Sequence, residues 1–95
     1  MPACFIAQIN IHDWREYQKY LDGTDGPLAC FEAEVLTVDD HPIILGGEWS
    51  CTRTVVIRFP DIETAQGWYS SPAYQAIVQH RHQAAEANAV FVQGR

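Results

Sequence analysis

Three aromatic side chains surround a Ser-Ser-Pro interruption in the segment GWYSSPAYQ, residues 67–75. Trp68, Tyr69 and Tyr74 have a clear chemical use, because a tyrosine hydroxyl beside an apolar wall can orient a small ligand. The same side chains also suit the inner side of a bent helix, where aromatic residues fill a core. The segment is therefore either a pocket wall or a packed helix break, and the surrounding elements decide between the two.

The histidines offer little acid–base or metal chemistry. His12, His41, His80 and His82 include no pair at the i, i+4 spacing of a helical metal site. His80 and His82 are two residues apart and would face different directions on a helix. His80, next to Arg81, is the remaining acid–base candidate, and we predict no metal site.

The sequence also lacks the common nucleophile and cofactor motifs. Ser70 and Ser71 are not part of a Gly-x-Ser-x-Gly elbow, and no glycine-rich phosphate loop or dinucleotide fingerprint is present. Cys4, Cys30 and Cys51 form no Cys-x-x-Cys pair. We therefore predict no cofactor, free buried thiols and a cytoplasmic location.

Length and charge limit the classes of partner. The chain has 95 residues, the size of one domain, so we treat residues 1–95 as a single unit. Its formal net charge is −6, and its six Lys and Arg residues are scattered, whereas nucleic acid binding needs clustered basic residues. No apolar run approaches the ~18 residues of a membrane span, and the first residues do not resemble a signal peptide. We predict neither a nucleic acid nor a membrane partner.

Four segments have the composition and alternation of β-strands. They are Ala3–Asn10, Glu34–Val38, Arg53–Phe59 and Asn88–Gly94, with a short extra strand at Ile43–Leu45. The third alternates most clearly, with Val55, Ile57 and Phe59 on one face and Thr54, Val56 and Arg58 on the other.

Two helical segments separate these strands. The first begins at Asp13, which with Glu16 matches a capping box, and a short helix is expected after Pro27. The second begins after Asp61 and restarts at Ser71, because serine is a good N-cap and the following proline suits the first helical position. Side chains at helical spacing are Trp14, Tyr17 and Leu21 in the first, and Tyr74, Ile77, Val78, Arg81 and Ala85 at the end of the second.

The element order predicts an α+β fold of the ferredoxin-like, split βαβ kind, with the helices on one face of an antiparallel sheet. The other face would be open. With Ile6, Val56 and Phe91 on it, that face would expose a large apolar patch on a monomer. Two sheets packed face to face would cover the patch, so we predict a homodimer.

The chain resembles the family catalogued as domain of unknown function 1330, within the dimeric α+β barrel superfamily. The matching residues are Phe59-Pro60, Asp61, Trp68–Gln75, Arg81 and Gly94, with weaker matches at Glu16–Tyr20 and Leu45–Trp49. The resemblance covers nearly the whole chain. It implies a ferredoxin-like dimer whose two sheets close a barrel.

The sequence departs from the family pattern at two charged positions. Glu34 stands where a basic residue usually enters the second strand, and Arg58 stands where the third strand usually carries Glu. In the ferredoxin-like order these strands are neighbours, so both side chains would point to the open face. We predict a cross-strand ion pair between them in the dimer cavity. The exchange argues against an anion-binding role carried over from the family.

Two functions of different classes remain. The first is a homodimer that binds a small molecule in a pocket at the sheet–sheet interface. The second, by analogy with superfamily members, is a cofactor-free enzyme of the oxygenase or isomerase type acting on a small organic substrate. Trp49 follows the short arm and is either interface packing or a pocket wall. The candidate ligand-binding residues are Gln8, Glu34, Trp49, Arg58, Trp68, Tyr69 and Tyr74.

Overall fold

A computed structural model describes residues 1–49 and 52–95. The strands are β1 (Ala3–Ile11), β2 (Glu34–Asp39), β3 (Arg53–Phe59) and β4 (Ala85–Gln93), and the helices are α1 (Trp14–Asp22), α2 (Asp25–Cys30), α3 (Ile62–Ser70) and α4 (Pro72–Ala84). The strands form an antiparallel sheet in the order β2-β3-β1-β4. This is the α+β, ferredoxin-like arrangement that the element order predicts.

The hydrophobic core lies between one face of the sheet and the helices. Alternation along β1 and β3 places Phe5, Ile57 and Phe59 on this face, and all three are buried. Trp68 of α3 packs between them, with its ring centroid 5.2 Å from that of Phe5 and 5.2 Å from that of Phe59. The helices thus cover one side of the sheet, and we call the other side the open face.

The helix starts use the predicted side-chain caps. Asp13 Oδ1 accepts a hydrogen bond from the Glu16 amide at 3.1 Å, and Asp61 Oδ1 accepts one from the Thr64 amide at 2.7 Å. The Glu16 side chain does not complete a capping box, because its carboxylate contacts Lys19 and His80 instead. The predicted cap at Asp13 is confirmed, but the predicted return bond from the Glu16 side chain is replaced by its contacts with Lys19 and His80.

Several predicted elements differ from the structure, since α2 begins at Asp25, before Pro27, and β4 begins at Ala85 and not at Asn88. Ile43–Leu45 is not a strand: Ile43 is 88% and Leu45 96% exposed, and no described strand pairs with them. A strand needs a hydrogen-bonded neighbour, which composition alone does not supply. Ala85, predicted to continue the second helix, is extended at φ −154° and ψ 155°. It pairs with Ile11 as the first residue of β4, so pairing with β1 overrides the helical spacing.

The assignment of Phe91 to the open face is also wrong. Phe91 pairs with Phe5 across β4 and β1, and their ring centroids are 5.7 Å apart on the helix side. Its neighbours Val90 and Val92 occupy the open face instead. The three residues of the run Val-Phe-Val are all apolar, so the alternation of polar and apolar residues could not show which of them points to which face of the sheet.

The cysteines differ from the prediction of buried thiols. Cys4 is half-buried on the open face and Cys30 is exposed at the end of α2, and neither forms a disulfide. The short helix α2 contributes no buried residue, which accounts for the exposure of Cys30. Cys51 lies outside the described residues.

Candidate functional site

The seven predicted site residues divide between the two sides of the sheet. Gln8, Glu34 and Arg58 lie on the open face, as their pairing register requires. Trp49 reaches the same face, because its indole Nε1 donates to Thr54 Oγ1 at 2.9 Å. The aromatic candidates Trp68, Tyr69 and Tyr74 belong to the helix layer. A single pocket on one face of the sheet cannot be lined by all seven.

The open face is organised in rows across the strands. From β2 to β4, the central row is Thr37, Val56, Ile6 and Val90, and the flanking rows are Glu34, Arg58, Cys4 and Val92 on one side and Asp39, Thr54, Gln8 and Asn88 on the other. The central row is mostly apolar, and both flanking rows carry polar side chains. The apolar patch is therefore centred on Ile6, Val56 and Val90, with polar side chains in the rows on both sides.

The predicted ion pair between Glu34 and Arg58 is present on this face. Arg58 Nη1 lies 3.6 Å from Glu34 Oε2, between the paired strands β2 and β3. The side chains are 51% exposed for Arg58 and 64% for Glu34 in the single chain. An ion pair this accessible to solvent contributes at most about 1 kcal/mol to folding stability. A larger contribution would require that another surface cover the pair.

The helix break at Ser71 positions the aromatic candidates. Ser71 Oγ accepts from the Tyr74 amide at 3.2 Å and donates to the Trp68 carbonyl at 2.7 Å. One hydroxyl therefore caps the start of α4 and the end of α3, and Pro72 follows without a need for an amide donor. The bend brings the Trp68 and Tyr74 rings to a centroid distance of 4.2 Å. The segment is therefore a packed helix break, the second of the two predicted alternatives. The same bend also brings polar side chains together in a cluster.

That cluster consists of Tyr20, Tyr69, Tyr74 and Arg81, and we call it the tyrosine–arginine cluster. The hydroxyls of Tyr20 and Tyr74 are 2.8 Å apart. Arg81 donates from Nη1 to the Tyr74 hydroxyl at 3.3 Å and from Nη2 to the Tyr69 hydroxyl at 3.4 Å. Arg81 is only 4% exposed. Among the described residues, no carboxylate forms a salt bridge with it. A buried guanidinium held by tyrosine hydroxyls is unusual, because buried charges are normally paired.

Two donors near this cluster lack partners. Arg81 Nε and Trp68 Nε1 are buried, and neither donates a hydrogen bond to an acceptor among the described residues. Burial raises the pKa of Tyr20 and of Tyr74 above the ordinary tyrosine value, so both hydroxyls stay protonated at neutral pH. The interior therefore holds one cation and several neutral donors.

A cavity of about 120 Å³ lies beside the cluster, between the helices α1 and α2 and the strands β2 and β3. Its inner wall includes Tyr20 and Trp68, and most of the remaining lining is aliphatic. We call it the helix-side cavity. Its rim includes Arg53, whose Nε and Nη2 donate to the two Asp40 carboxylate oxygens at 2.7 and 3.1 Å. This bidentate bond lowers the pKa of Asp40, so the rim carries a fixed pair of opposite charges.

Sequence reasoning missed Arg53, Asp40, Tyr20 and the role of Arg81. The signal for Arg81 was present, because an arginine at the spacing of Tyr74 and Val78 lies on the buried stripe of its helix. The Arg53–Asp40 pair joins a strand to a distant turn and has no local signal. His80, the acid–base candidate, contacts Glu16 near the surface and is not part of the tyrosine–arginine cluster.

Within residues 1–49 and 52–95, no group of three or more His, Cys, Asp and Glu side chains is arranged to hold a metal ion. In the same residues, no helix combines the length and apolarity needed to cross a bilayer.

Several solved structures share this fold. The RPA0582 protein of unknown function from Rhodopseudomonas palustris superposes with a TM-score of 0.81 at 14% identity, covering 99% of this chain and 82% of that chain. A dimeric ferredoxin-like protein of unknown function from Bacteroides fragilis gives 0.65 at 10% identity, with coverages of 98% and 96%. SnoaB from Streptomyces nogalater, a cofactor-independent oxygenase, gives 0.65 at 11% identity, with coverages of 99% and 93%. At these identities the likeness establishes the fold alone.

Comparison by sequence assigns the chain to a family. None of the curated proteins matches the chain. The model of the family described as Domain of unknown function (DUF1330) matches residues 2–95, so this chain belongs to that family, as the residues from Trp68 to Gln75 suggested.

Proposed function

We propose that this chain forms a homodimer through its open face and binds a small organic molecule in a pocket between the two sheets. The observation that carries the proposal is the central row of that face. Ile6, Val56 and Val90 lie side by side there, and Val90 is 55% exposed in the single chain. Burying contiguous apolar surface favours association by about 25 cal/mol per Å², and a protein of the same fold from Bacteroides fragilis is dimeric.

The flanking rows support a pocket within this interface. Gln8 and Trp49 stand at one end of the face, and the Glu34–Arg58 pair stands at the other. Polar groups enclosed by a second sheet require hydrogen-bond partners. A ligand with oxygen or nitrogen atoms would supply them, with the apolar row as its floor.

A matched pair of substitutions tests the assembly. Val90 and Ala89 are adjacent and exposed on β4 but point to opposite faces of the sheet. Val90→Glu places a charge in the proposed interface, and Ala89→Glu places the same charge on the helix side. By sedimentation velocity we expect the wild type and Ala89→Glu to be dimers and Val90→Glu to be a monomer.

Native mass spectrometry of the same three proteins tests the pocket. We expect the dimers to carry a noncovalent small-molecule adduct and the Val90→Glu monomer to lack it. A monomeric wild type, or a dimer that carries no adduct, would contradict the interface pocket. Gln8→Leu adds a check in the dimer, because it removes one polar lining group and should weaken the adduct.

A cofactor-free enzyme of the oxygenase or isomerase type is the second candidate function. The observation that favours it is the buried Arg81, because a guanidinium in a site that excludes water can stabilise a developing enolate or phenolate. SnoaB, a cofactor-independent oxygenase, has the same fold. The residues expected to act are Arg81 and Tyr74, with Tyr20 adjoining the helix-side cavity.

Oxygen consumption tests the oxygenase form of this candidate. Purified protein would be incubated with a panel of phenolic and enolisable compounds, with oxygen uptake recorded by electrode and products identified by mass spectrometry. Loss of one preorganised donor costs about 10²–10³ in rate, so Tyr74→Phe should reduce the uptake by this factor and Ser70→Ala should not. Turnover that is equal in Tyr74→Phe and the wild type would exclude the cluster.

A further inference from the structure

The helix-side cavity is separate from the proposed dimer interface, because it lies on the opposite side of the sheet. We infer that it is a binding site for a planar molecule of one ring that carries a hydrogen-bond-accepting oxygen, as in a phenol or a cyclic ketone. The inference rests on the volume, lining and access of the cavity within one chain. It does not depend on dimerisation.

The volume fits one ring. The cavity measures about 120 Å³, and an apolar protein cavity of about 150 Å³ is large enough to bind benzene. Phe5, Ile57 and Leu28 are among the apolar residues that line it. A ring in this space would make packing contacts with these side chains. A two-ring molecule would have to displace the lining.

The inner wall supplies hydrogen-bond donors without a full set of partners. Trp68 lines the cavity, and its Nε1 is buried without a partner among the described residues. Tyr20 also lines it, and its hydroxyl contacts that of Tyr74. Because Arg81 donates to the Tyr74 oxygen, the Tyr74 hydroxyl can donate its hydrogen bond to the Tyr20 oxygen, which leaves the Tyr20 hydroxyl able to donate to another acceptor. A ligand oxygen at this end would satisfy donors that the chain leaves unpaired.

The rim gives access and favours a neutral ligand. Val35 and Val38 of the edge strand β2 line the cavity and are 48% and 51% exposed, so the helix layer leaves this side uncovered. Arg53 also lines the cavity, but its guanidinium is already bonded to both Asp40 oxygens. A carboxylate entering here would lose its hydration without a free cation in the lining. Phenol should therefore bind more tightly than benzoate.

Chemical-shift titration with phenol, toluene and benzoate tests the site. In ¹H–¹⁵N spectra of the full chain, we expect phenol to shift the amides of α1, α2 and β3 together with the Trp68 indole signal. One hydrogen bond is worth about 1 kcal/mol, so phenol should bind about five- to tenfold more tightly than toluene. No shift at these positions with any probe at 10 mM would overturn the inference, as would equal binding of toluene and phenol.

Four variants test the space, the hydrogen-bond donor and the location of the site separately. Val38→Phe should obstruct the cavity from its exposed side and reduce phenol affinity at least tenfold, whereas Ile43→Phe on the exposed arm should leave it unchanged. Trp68→Phe removes the unpaired N–H and should reduce the preference for phenol over toluene, with the Tyr20 hydroxyl as the remaining donor. Val90→Glu should bind phenol like the wild type, so its result distinguishes failure of this site from failure of the interface pocket. Unchanged phenol affinity in Val38→Phe would overturn the assignment even if Trp68→Phe did not fold.

Discussion

At the scale of single residues, the hydroxyl of Tyr74 connects the buried groups of the tyrosine–arginine cluster. It lies 2.8 Å from the Tyr20 hydroxyl and accepts from Arg81 at 3.3 Å. Tyr74→Phe leaves both partners buried and unsatisfied, which should lower the free energy of unfolding by about 1–3 kcal/mol. Urea denaturation measures this loss. Tyr69→Phe is the control, because Tyr69 is half-buried and its hydroxyl accepts a longer bond, 3.4 Å, from Arg81. An equal loss in both variants would contradict the role of Tyr74.

Tyrosine ionisation predicts how stability changes at alkaline pH. Burial raises the pKa of Tyr17 from 10.0 to about 12, and burial also raises the pKa of Tyr20 and Tyr74. The unfolded chain loses these protons first, so the stability is fully present below about pH 10 and falls as pH rises from 10 towards 12. The limiting slope is about 1.4 kcal/mol per pH unit for each buried tyrosine.

Urea denaturation between pH 9 and pH 11.5 measures this slope. Tyr17→Phe removes one ionising group from the unfolded chain and should make the decline shallower than in the wild type. The two proteins should differ little in the pH dependence of stability below pH 9. Identical slopes above pH 10 would mean that Tyr17 ionises equally well in the folded and unfolded chains.

The charged residues show what sequence reasoning can reach at this scale. The Glu34–Arg58 pair could be predicted, because both positions lie on regularly alternating strands whose adjacency follows from the fold. Arg53 and Asp40 could not, because a turn brings the aspartate back to the rim of the helix-side cavity and no periodicity records its course. Arg81 was placed on the buried stripe, but the spacing did not show that its guanidinium bonds to Tyr74 on the same helix and to Tyr69 on α3.

At the scale of elements, two adjacent serines make different contributions to the bend between α3 and α4. Ser71 Oγ caps the Tyr74 amide and bonds to the Trp68 carbonyl, whereas Ser70 Oγ donates to the Gln66 carbonyl on an exposed turn. Ser71→Ala should lower the free energy of unfolding by about 0.5–2 kcal/mol, and Ser70→Ala should change it by less than about 0.5 kcal/mol. Urea denaturation of the two variants measures the difference. A larger loss in Ser70→Ala would show that the bend is held by packing and not by the cap.

The elements themselves were predictable where polar and apolar residues alternate. β3 has the predicted bounds, and its two faces divide as expected. β4 has a run of apolar residues around Phe91, so the face to which each of them points depends on pairing with β1, which the sequence does not display.

Trp14 illustrates a related limit. It is half-exposed and lies outside the core, with the Cζ atom of Arg53 5.2 Å from its ring centroid. Hydropathy predicts that such a ring is covered but not by which group.

At the scale of the whole molecule, the sheet separates two candidate sites that the sequence had merged into one. The predicted aromatic residues belong to the helix side and the predicted polar residues to the open face, so each face raises its own functional question. Fold recognition located the sheet and its helices correctly. It could not assign each candidate residue to the helix side or to the open face, because that assignment depends on the direction of each side chain from its strand or helix.

The proposed dimerisation through the open face would make thermal stability depend on protein concentration. If the folded state is a dimer and the unfolded state a monomer, a tenfold rise in concentration favours folding by about 1.4 kcal/mol per dimer. For two chains of this length, that corresponds to an increase of about 3–5 °C in Tm. We expect this dependence in the wild type and in Ala89→Glu, measured by circular dichroism over a hundredfold concentration range. Val90→Glu should show none, and a wild type whose Tm is independent of concentration, with a monomeric mass in sedimentation, would remove the interface and the pocket assigned to it.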